Sequence, residues 1–500
     1  MSEMSEVKNK SESYLLVGYI GIICMVIGVI LLFPLLILIP YPEEANEAKN
    51  FIIPGTLSIT AGYFMSLGIR GKQKERQFKN QANLIVALAW LLVIVWSSVP
   101  FMLTGKYNFT QAVFECTSGY TTTGLSVVDV TQTSHIFLFF RTVMLFVGGV
   151  GLVLVVISVL SDRYGMKLFE AEGHSDKMLP NLIQSARMII LIYSGYILGG
   201  TILYMIFGMN WFDAVNHSVA AISTGGFSTR AESIGYYNSM GIEAVTIVLM
   251  FLGSMSFLVH LAFLRGKWKK VFCDCEVRFS LVIYPCTAVL MAGILAAQVS
   301  TSFPEGIRIG LFQAVSAMTT TGFQTIESFQ KWPPSLLFII IILMIVGGGA
   351  GSTAGGMKQY RVWIALREVF WNFKRRLSSK RIVFPHKIVR CGDDIEITGE
   401  VYRENTNFLF LYLLLLTAGT FILTCYGNSP GDSMFEIASS LSTVGLSAGI
   451  TGYDAEPIVL WTSTVCMFLG RLEIYIIIIT MVRSVRSCKN KLRSSLKRVL

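Results

Sequence analysis

The sequence predicts an all-α polytopic membrane protein, and three observations predict it. The first is composition: of 500 residues, 53% are hydrophobic and 14% charged, and the mean hydropathy is positive. A soluble domain of that make-up would leave far too much apolar surface facing water. The second is the length of the apolar runs. Leu15–Ile39, Leu84–Val99, Ile136–Leu160, Met188–Ile206, Leu336–Val346 and Phe408–Thr424 are long enough, alone or with their flanks, to cross ~30 Å of hydrocarbon. The third is a polar, glycine-bearing segment that recurs four times between such runs.

Aligned on one glycine, the four segments read TTTGLS (121–126), STGGFS (223–228), TTTGFQ (319–324) and STVGLS (442–447). The aligned glycines Gly124, Gly226, Gly322 and Gly445 lie 102, 96 and 123 residues apart. Three positions earlier stand Thr121, Ser223, Thr319 and Ser442, and two positions earlier Thr122, Thr224, Thr320 and Thr443. Directly before the glycine come Thr123, Gly225, Thr321 and Val444. A single TTTG is a turn; four copies in register are a repeat, which has to be found before any other reading is attempted.

Upstream of each segment, Asn108–Gly119, Asn210–Ile222, Glu305–Met318 and Gly431–Leu441 are too short to span, and several open on a residue suited to a helix start. They read as re-entrant helices, each flanked by a span on either side. Two extra spans, 14–40 and 51–69, precede the first repeat. The chain divides into an N-terminal transmembrane pair (1–79), repeat 1 (80–187), repeat 2 (188–277), repeat 3 (278–403) and repeat 4 (404–500). That makes ten crossings, arranged as four pseudo-fourfold span–pore helix–span units around a central pore.

No secretory leader is evident, since the first apolar run exceeds a signal core. If the loops alternate sides, the N-terminus, 70–79, 161–187, 265–278, 358–403 and the tail from Arg483 carry 34 of the 41 Lys and Arg. The positive-inside rule then puts both termini in the cytoplasm. These cations flank spans, so topology accounts for the net charge of +10 without nucleic acid. The nine cysteines are scattered, and the close pair Cys273 and Cys275 lacks the further ligands a metal site needs. His135, His174, His217, His260 and His386 are isolated, with no HExxH, GxSxG, Walker or dinucleotide motif. An enzyme is not indicated.

Non-helical backbone at membrane depth survives only where protein buries it or water lines it. Four such strands around one axis offer rings of carbonyl oxygens that can replace the hydration shell of an alkali cation. Glycine permits the close approach, and the short helices aim their negative ends inward, favouring a cation. The second quarter has Gly225 where the others carry Thr123, Thr321 or Val444, so the filter is expected to be coarser than one of four identical strands. Glu115, His217, Gln313 and Glu436 share one position on the half-helices. They either brace the strands from behind or line the outer mouth, and the need of buried polar groups for partners favours bracing. Asp129 and Asp454 are candidate outer-vestibule anions.

A second feature interrupts a span of repeat 3: GGGAGSTAGGMK (347–358). Six glycines in twelve residues, each costing roughly 1 kcal/mol against alanine, will not hold a stable helix. Gly347, Gly348, Gly349, Gly351, Ser352, Thr353, Gly355 and Gly356 are therefore expected to form a loop. Gly348 lies 26 residues after Gly322 and Arg471 lies 26 after Gly445, so loop and arginine share a level beneath the filter, near Gly148, Gly149, Gly151 and Gly253. An intramembrane arginine is a functional candidate; the plain alternative is an ion pair with Glu473 or another carboxylate. The expectation is that loop and arginine form the gate.

These motifs, with the late FLGRLEIY (468–475), resemble the Trk/Ktr/HKT superfamily of potassium transporters, and within it the TrkH/TrkG-like bacterial membrane subunits. The resemblance covers nearly the whole chain. It implies potassium uptake across the cytoplasmic (inner) membrane, K+ as transported ion and no organic cofactor in this chain. It further implies a homodimer with one pore per protomer, controlled by a cytoplasmic TrkA-like subunit that binds NAD(H) or ATP/ADP. By the same resemblance K+ sits at Thr122, Thr123, Thr224, Gly225, Thr320, Thr321, Thr443 and Val444, and the gate is Gly347–Gly356 with Arg471. Intact Gly124 favours potassium over sodium. The fourth filter, STVGLSAG, departs from the commoner asparagine-rich form, leaving a less selective K+/Na+ transporter or an ion-coupled symporter as alternatives.

Overall fold

The computed structural model describes residues 2–67, 82–152, 182–378, 386–472 and positions 474, 475, 477, 478, 482 and 486. The basic stretches 70–79 and 161–181, His174, Glu473 and most of the tail lie outside them. The described chain is helical apart from one two-stranded hairpin. Among the described residues five helices are long and apolar enough to cross a membrane: Val17–Leu38, Leu84–Leu103, Gln184–Ile206, Cys275–Gln298 and Gly399–Cys425.

The N-terminal pair consists of α1 (Ser2–Leu32), which tightens at Pro34 into a 3-10 turn, and α2 (Lys49–Ser66). They pack through small residues: a side chain at Gly21 or Gly28 would collide with the main chain of α2 at Gly62 or Gly55. Such close approach is how apolar helices associate where lipid removes the hydrophobic drive. In the turn between α1 and α2, Glu44 accepts from the His135 and Ile136 amides (2.8 and 2.9 Å), fixing the pair to repeat 1.

Each repeat then has a long first helix: α3 (Ala82–Leu103), α6 (Leu182–Ile206), α11 (Cys275–Gln298) and α15 (Gly399–Cys425). A short helix follows: α4 (Phe109–Tyr120), α7 (Trp211–Ile222), α12 (Phe303–Met318) and α16 (Pro430–Leu441). Asn108 and Asn210 cap the first two as the sequence suggests, accepting from the Gln111 and Asp213 amides. The other two begin earlier than read, after Ser302 and Ser429, where Pro304 and Pro430, at the second and first helical positions, pre-set the helical dihedral.

The second helices are α5 (His135–Val150), α8 (Met240–Ser254), α13 (Pro334–Val346) and α17 (Pro457–Arg471). All are short. In repeat 3 the glycine run ends α13 at Gly347, and α14 (Gln359–Leu377) resumes beyond Lys358. Repeat 2 holds a break that hydropathy did not mark, since the sequence flagged only Gly253. Helix α8 stops at Ser254, and α9 (Phe257–Leu264) leaves at 110°. Met255 and Ser256 are extended there. The freed groups find other partners: Phe257 N donates to Gly351 O (3.0 Å), and the His260 ring lies 2.9 Å from Leu252 O.

Within the segment 358–403, read as a basic loop, the described residues are largely helix and hairpin. After α14 comes a hairpin of β1 (Lys387–Arg390) and β2 (Asp393–Glu396), paired antiparallel. It packs beside the short α10 (Trp268–Cys273) and the start of α11, where Lys270 Nζ approaches Asp393 at 3.3 Å.

Candidate ion-conducting site

Every short helix stops in the same register. Its C-cap is Thr121, Ser223, Thr319 or Ser442, right-handed with φ −76, −73, −74 and −85°. The threonine that follows is left-handed each time: Thr122, Thr224, Thr320 and Thr443 have φ 55, 52, 56 and 52°. A β-branched residue there is a genuine outlier costing on the order of 1–3 kcal/mol, and four in register mark a functional constraint. The next residue returns to negative φ, and the glycine is positive again at 98, 65, 84 and 96°.

This alternation turns amides to one edge of the strand and carbonyls to the other. The amides fold back on their own helix: Thr123 N to Ser118 O (2.8 Å), Gly225 N to Ala220 O (2.9 Å), Thr321 N to Ser316 O (3.0 Å) and Val444 N to Ser439 O (2.8 Å). The carbonyls meet the neighbouring quarters. A β-carbon on Gly124 would strike Gly225 O, one on Gly226 Thr321 O, one on Gly322 Val444 O, and one on Gly445 Thr123 O. The four turns therefore close a ring in chain order. Two quarters add a hydroxyl brace: Gly124 N donates to Ser118 Oγ and Gly445 N to Ser439 Oγ, both at 3.0 Å. The second quarter departs: Ala220 offers no hydroxyl, and the Gly225 carbonyl also accepts from Phe227 N at 2.9 Å.

Glu115, His217, Gln313 and Glu436 are fully buried behind the ring. Glu115 accepts from Ser126 Oγ and Val127 N (both 3.0 Å) and from Arg141 Nε (2.8 Å). Glu436 accepts from Ser447 Oγ and Ala448 N (both 2.9 Å) and from the Thr451 hydroxyl. His217 Nε2 lies 2.9 Å from Ser228 Oγ, and Gln313 Nε2 donates to Thr325 Oγ1 at 3.3 Å. Each ties its helix to the strand that leaves the turn, so bracing is the arrangement found. Arg141, within α5, neutralises buried Glu115 and covers the Phe227 ring at 3.9 Å. An arginine inside an apolar run facing a carboxylate of the brace was the signal for that pair.

All four ring glycines open on one cavity of about 510 Å³, which Asp129, Glu327, Arg141 and Arg230 also line. Asp454 is not among its lining residues, and Glu327 takes a place the sequence reading did not give it. The Thr131 hydroxyl and amide, 2.6 and 2.9 Å away, hold the exposed Asp129 carboxyl below its ordinary range, so it stays charged.

On the other side of the ring lies the glycine loop. Its neck forms where Gly347 and Gly356 (φ 73 and 77°) meet, with Gly348 N donating to Gly355 O at 3.3 Å. Gly349 N donates to Ser254 O (2.9 Å), and Ser352 Oγ to Gly349 O (2.6 Å). At the tip, Thr353 Oγ1 lies 3.2 Å from Thr224 Oγ1 and donates to Gly253 O at 2.9 Å. Gly355 N donates to Thr320 Oγ1 (2.7 Å), and Gly355 packs against Ser442 O and Thr443 Oγ1. The loop thus touches the left-handed threonines of three quarters. Arg471 donates to Thr353 O (2.8 Å) and to Gly148 O, linking the loop to the first repeat. Glu473, the partner named in the alternative ion-pair reading, lies outside the described residues; Thr353 and Gly148 offer main-chain oxygens. The Thr122 and Thr443 hydroxyls are buried without a hydrogen-bond partner among the described residues.

Residues 47–492 match the family described as TrkH, cation transport protein. The chain is 28% identical over 473 residues to the Trk system potassium uptake protein TrkH of Halomonas elongata, covering 92% of this chain and 96% of that protein. It is 31% identical over 459 residues to an uncharacterised cation transporter of Methanocaldococcus jannaschii, covering 91% and 92%. The crystal structure of the potassium transporter TrkH from Vibrio parahaemolyticus superposes with a TM-score of 0.76 at 26% identity, covering 92% and 98%. With its apolar helices, and a fold shared along nearly its whole length, the chain belongs to the TrkH family of cation transport proteins, which are transmembrane transporters and not enzymes.

Proposed function

We propose that this protein takes up potassium across the cytoplasmic membrane through a pore whose selectivity filter is the ring at Gly124, Gly226, Gly322 and Gly445. The observation that carries the reading is the closed order of contacts, each glycine against the carbonyl of the next quarter. Carbonyls of Thr123, Gly225, Thr321 and Val444 form one ligand level, and those of Thr122, Thr224, Thr320 and Thr443 the level beneath. Such oxygens replace the shell of a dehydrated cation. Buried hydroxyls without partners at Thr122 and Thr443 fit an ion-lined path, since buried polar groups otherwise find one.

The loop 347–356 and Arg471 are the gate in this reading. The loop fills the level under three filter threonines, and the guanidinium sets a positive charge on the path of a cation. The basic face is cytoplasmic, with both termini on that side, and it receives a TrkA-like subunit that binds NAD(H) or ATP/ADP. The transporter works as a homodimer in the lipid bilayer. Relatives named as potassium uptake proteins support the choice of ion. One observation favours relaxed selectivity as a second reading: the Gly225 carbonyl shares itself with Phe227 N, so one of four ligands is weakened.

Rubidium uptake into liposomes, with and without a TrkA-like protein and each nucleotide, tests the function. Uptake that potassium competes away and the partner regulates is expected. Uptake indifferent to potassium would overturn it, and equal competition by sodium would favour the second reading.

A further inference from the structure

One carboxylate ties both limbs of the intramembrane loop to the basic side of the molecule. Glu276, in the first turn of α11, is 4% exposed, and its Oε1 accepts from Ala350 N (2.7 Å) and Tyr360 N (3.1 Å). The Tyr360 amide belongs to the first turn of α14, whose N-cap Lys358 makes no side-chain cap. Glu276 supplies that cap from another helix, a carboxylate at the positive end of α14. The Ala350 amide lies on the opposite limb, on the far side of Thr353, which Arg471 holds. Two residues before Glu276, Asp274 caps α11 with Oδ1 and accepts Cys391 N on Oδ2 (2.9 Å), in the turn of the β1–β2 hairpin. Arg390, the last residue of β1, closes the circuit. Its Nη2 donates to Ala350 O at 3.4 Å, and its guanidinium covers the Tyr360 ring at 4.9 Å.

We propose that Glu276 and Arg390 are positioning residues through which the hairpin 387–396 sets the intramembrane loop, so that displacing the hairpin frees the loop from the filter threonines. The inference rests on the loop being the gate. Asp274 and Glu276 stand two residues apart on one rigid helix start, one holding the hairpin and the other the loop. A push on the hairpin therefore reaches the loop without passing through the filter. The long Arg390–Ala350 bond is the joint that yields first, and the doubly bonded Glu276 is the pivot. Losing the pivot takes the acceptor from two half-buried amides, which the loop regains only by moving.

The test uses the full-length protein in nanodiscs and liposomes, reading hydrogen exchange of the amides in 347–360 and rubidium uptake. In Arg390→Ala, exchange at Ala350 should quicken by about tenfold, the signature of a locally loosened segment. Maximal uptake should rise with the half-saturating rubidium concentration and the potassium preference unchanged, a split that general misfolding would not give. Glu276→Ala should exceed Arg390→Ala, and Glu276→Gln, which keeps the acceptor oxygen, should restore most of the slow exchange. Unchanged exchange in Arg390→Ala overturns the coupling. Faster exchange with unaltered uptake, in Arg390→Ala and Arg471→Ala alike, overturns the gate reading on which it stands. Should Glu276→Ala fail to fold, half-buried Arg390 still decides the matter.

Discussion

The proposed filter level and the level beneath it are built on opposite plans. At the ring, four quarters repeat one backbone: a left-handed threonine between φ 52 and 56°, a positive-φ glycine, and a buried brace behind. Beneath it, the corresponding depth holds a bare glycine carbonyl at Gly148, a 110° break after Ser254, a glycine loop and an arginine. The contrast follows from geometry. A ring needs one donor from every quarter, so each must keep the same turn. The proposed gate needs one object on the axis, so one repeat supplies the loop, another the cation that pins it, and the other two make room.

The sharpest way to break that contrast is to add a methyl group to the ring. Gly226 has φ 65° and meets Thr321 O, so Gly226→Ala is strained and obstructed together. Potassium preference measured by competition should fall by more than about tenfold, equivalent to ~1.4 kcal/mol of lost discrimination. A preference kept intact would remove the ring from the account. Beneath the ring the sign reverses. Arg471→Ala deletes the latch to Thr353 and Gly148 and should raise rubidium flux severalfold while leaving the preference in place. A drop in flux from a well-folded variant would show that the arginine supports the path and does not close it.

The braces give the smaller effects. Glu436→Ala leaves Ser447, Ala448 and Thr451 donors without their acceptor, at about 1–3 kcal/mol for an unpaired buried group. A lowered midpoint of thermal unfolding, with weakened potassium preference, is the expected result. Gln313→Leu should do least. The Gln313 Oε1 has no partner among the described residues and its single bond to Thr325 is 3.3 Å, so replacement removes an unsatisfied acceptor as well as a weak contact. A change in midpoint as large as that of Glu436→Ala would show that the quarters carry equal loads.

What the sequence made legible follows the same division. The repeat could be read because four turns under one constraint keep threonine and glycine at fixed offsets, and Asn108 and Asn210 announced two helix starts. The break at Met255–Ser256 could not, because its stray hydrogen bonds are satisfied by Gly351 in another repeat and by the His260 ring, leaving hydropathy continuous. The hairpin 387–396 was hidden in a charged segment, since only Ile388 among its paired residues is buried, and four-residue strands show too little alternation to stand out. Arg471 was placed by its spacing, yet its carbonyl partners depend on tertiary contacts that no local pattern encodes.

Anomalous diffraction from crystals grown in thallium or rubidium, using protein shown to transport, tests the central claim most directly. The account predicts a peak on the axis between the carbonyls of Thr123, Gly225, Thr321 and Val444. An axis without a peak at that level, with ions bound elsewhere in the same crystals, would contradict it.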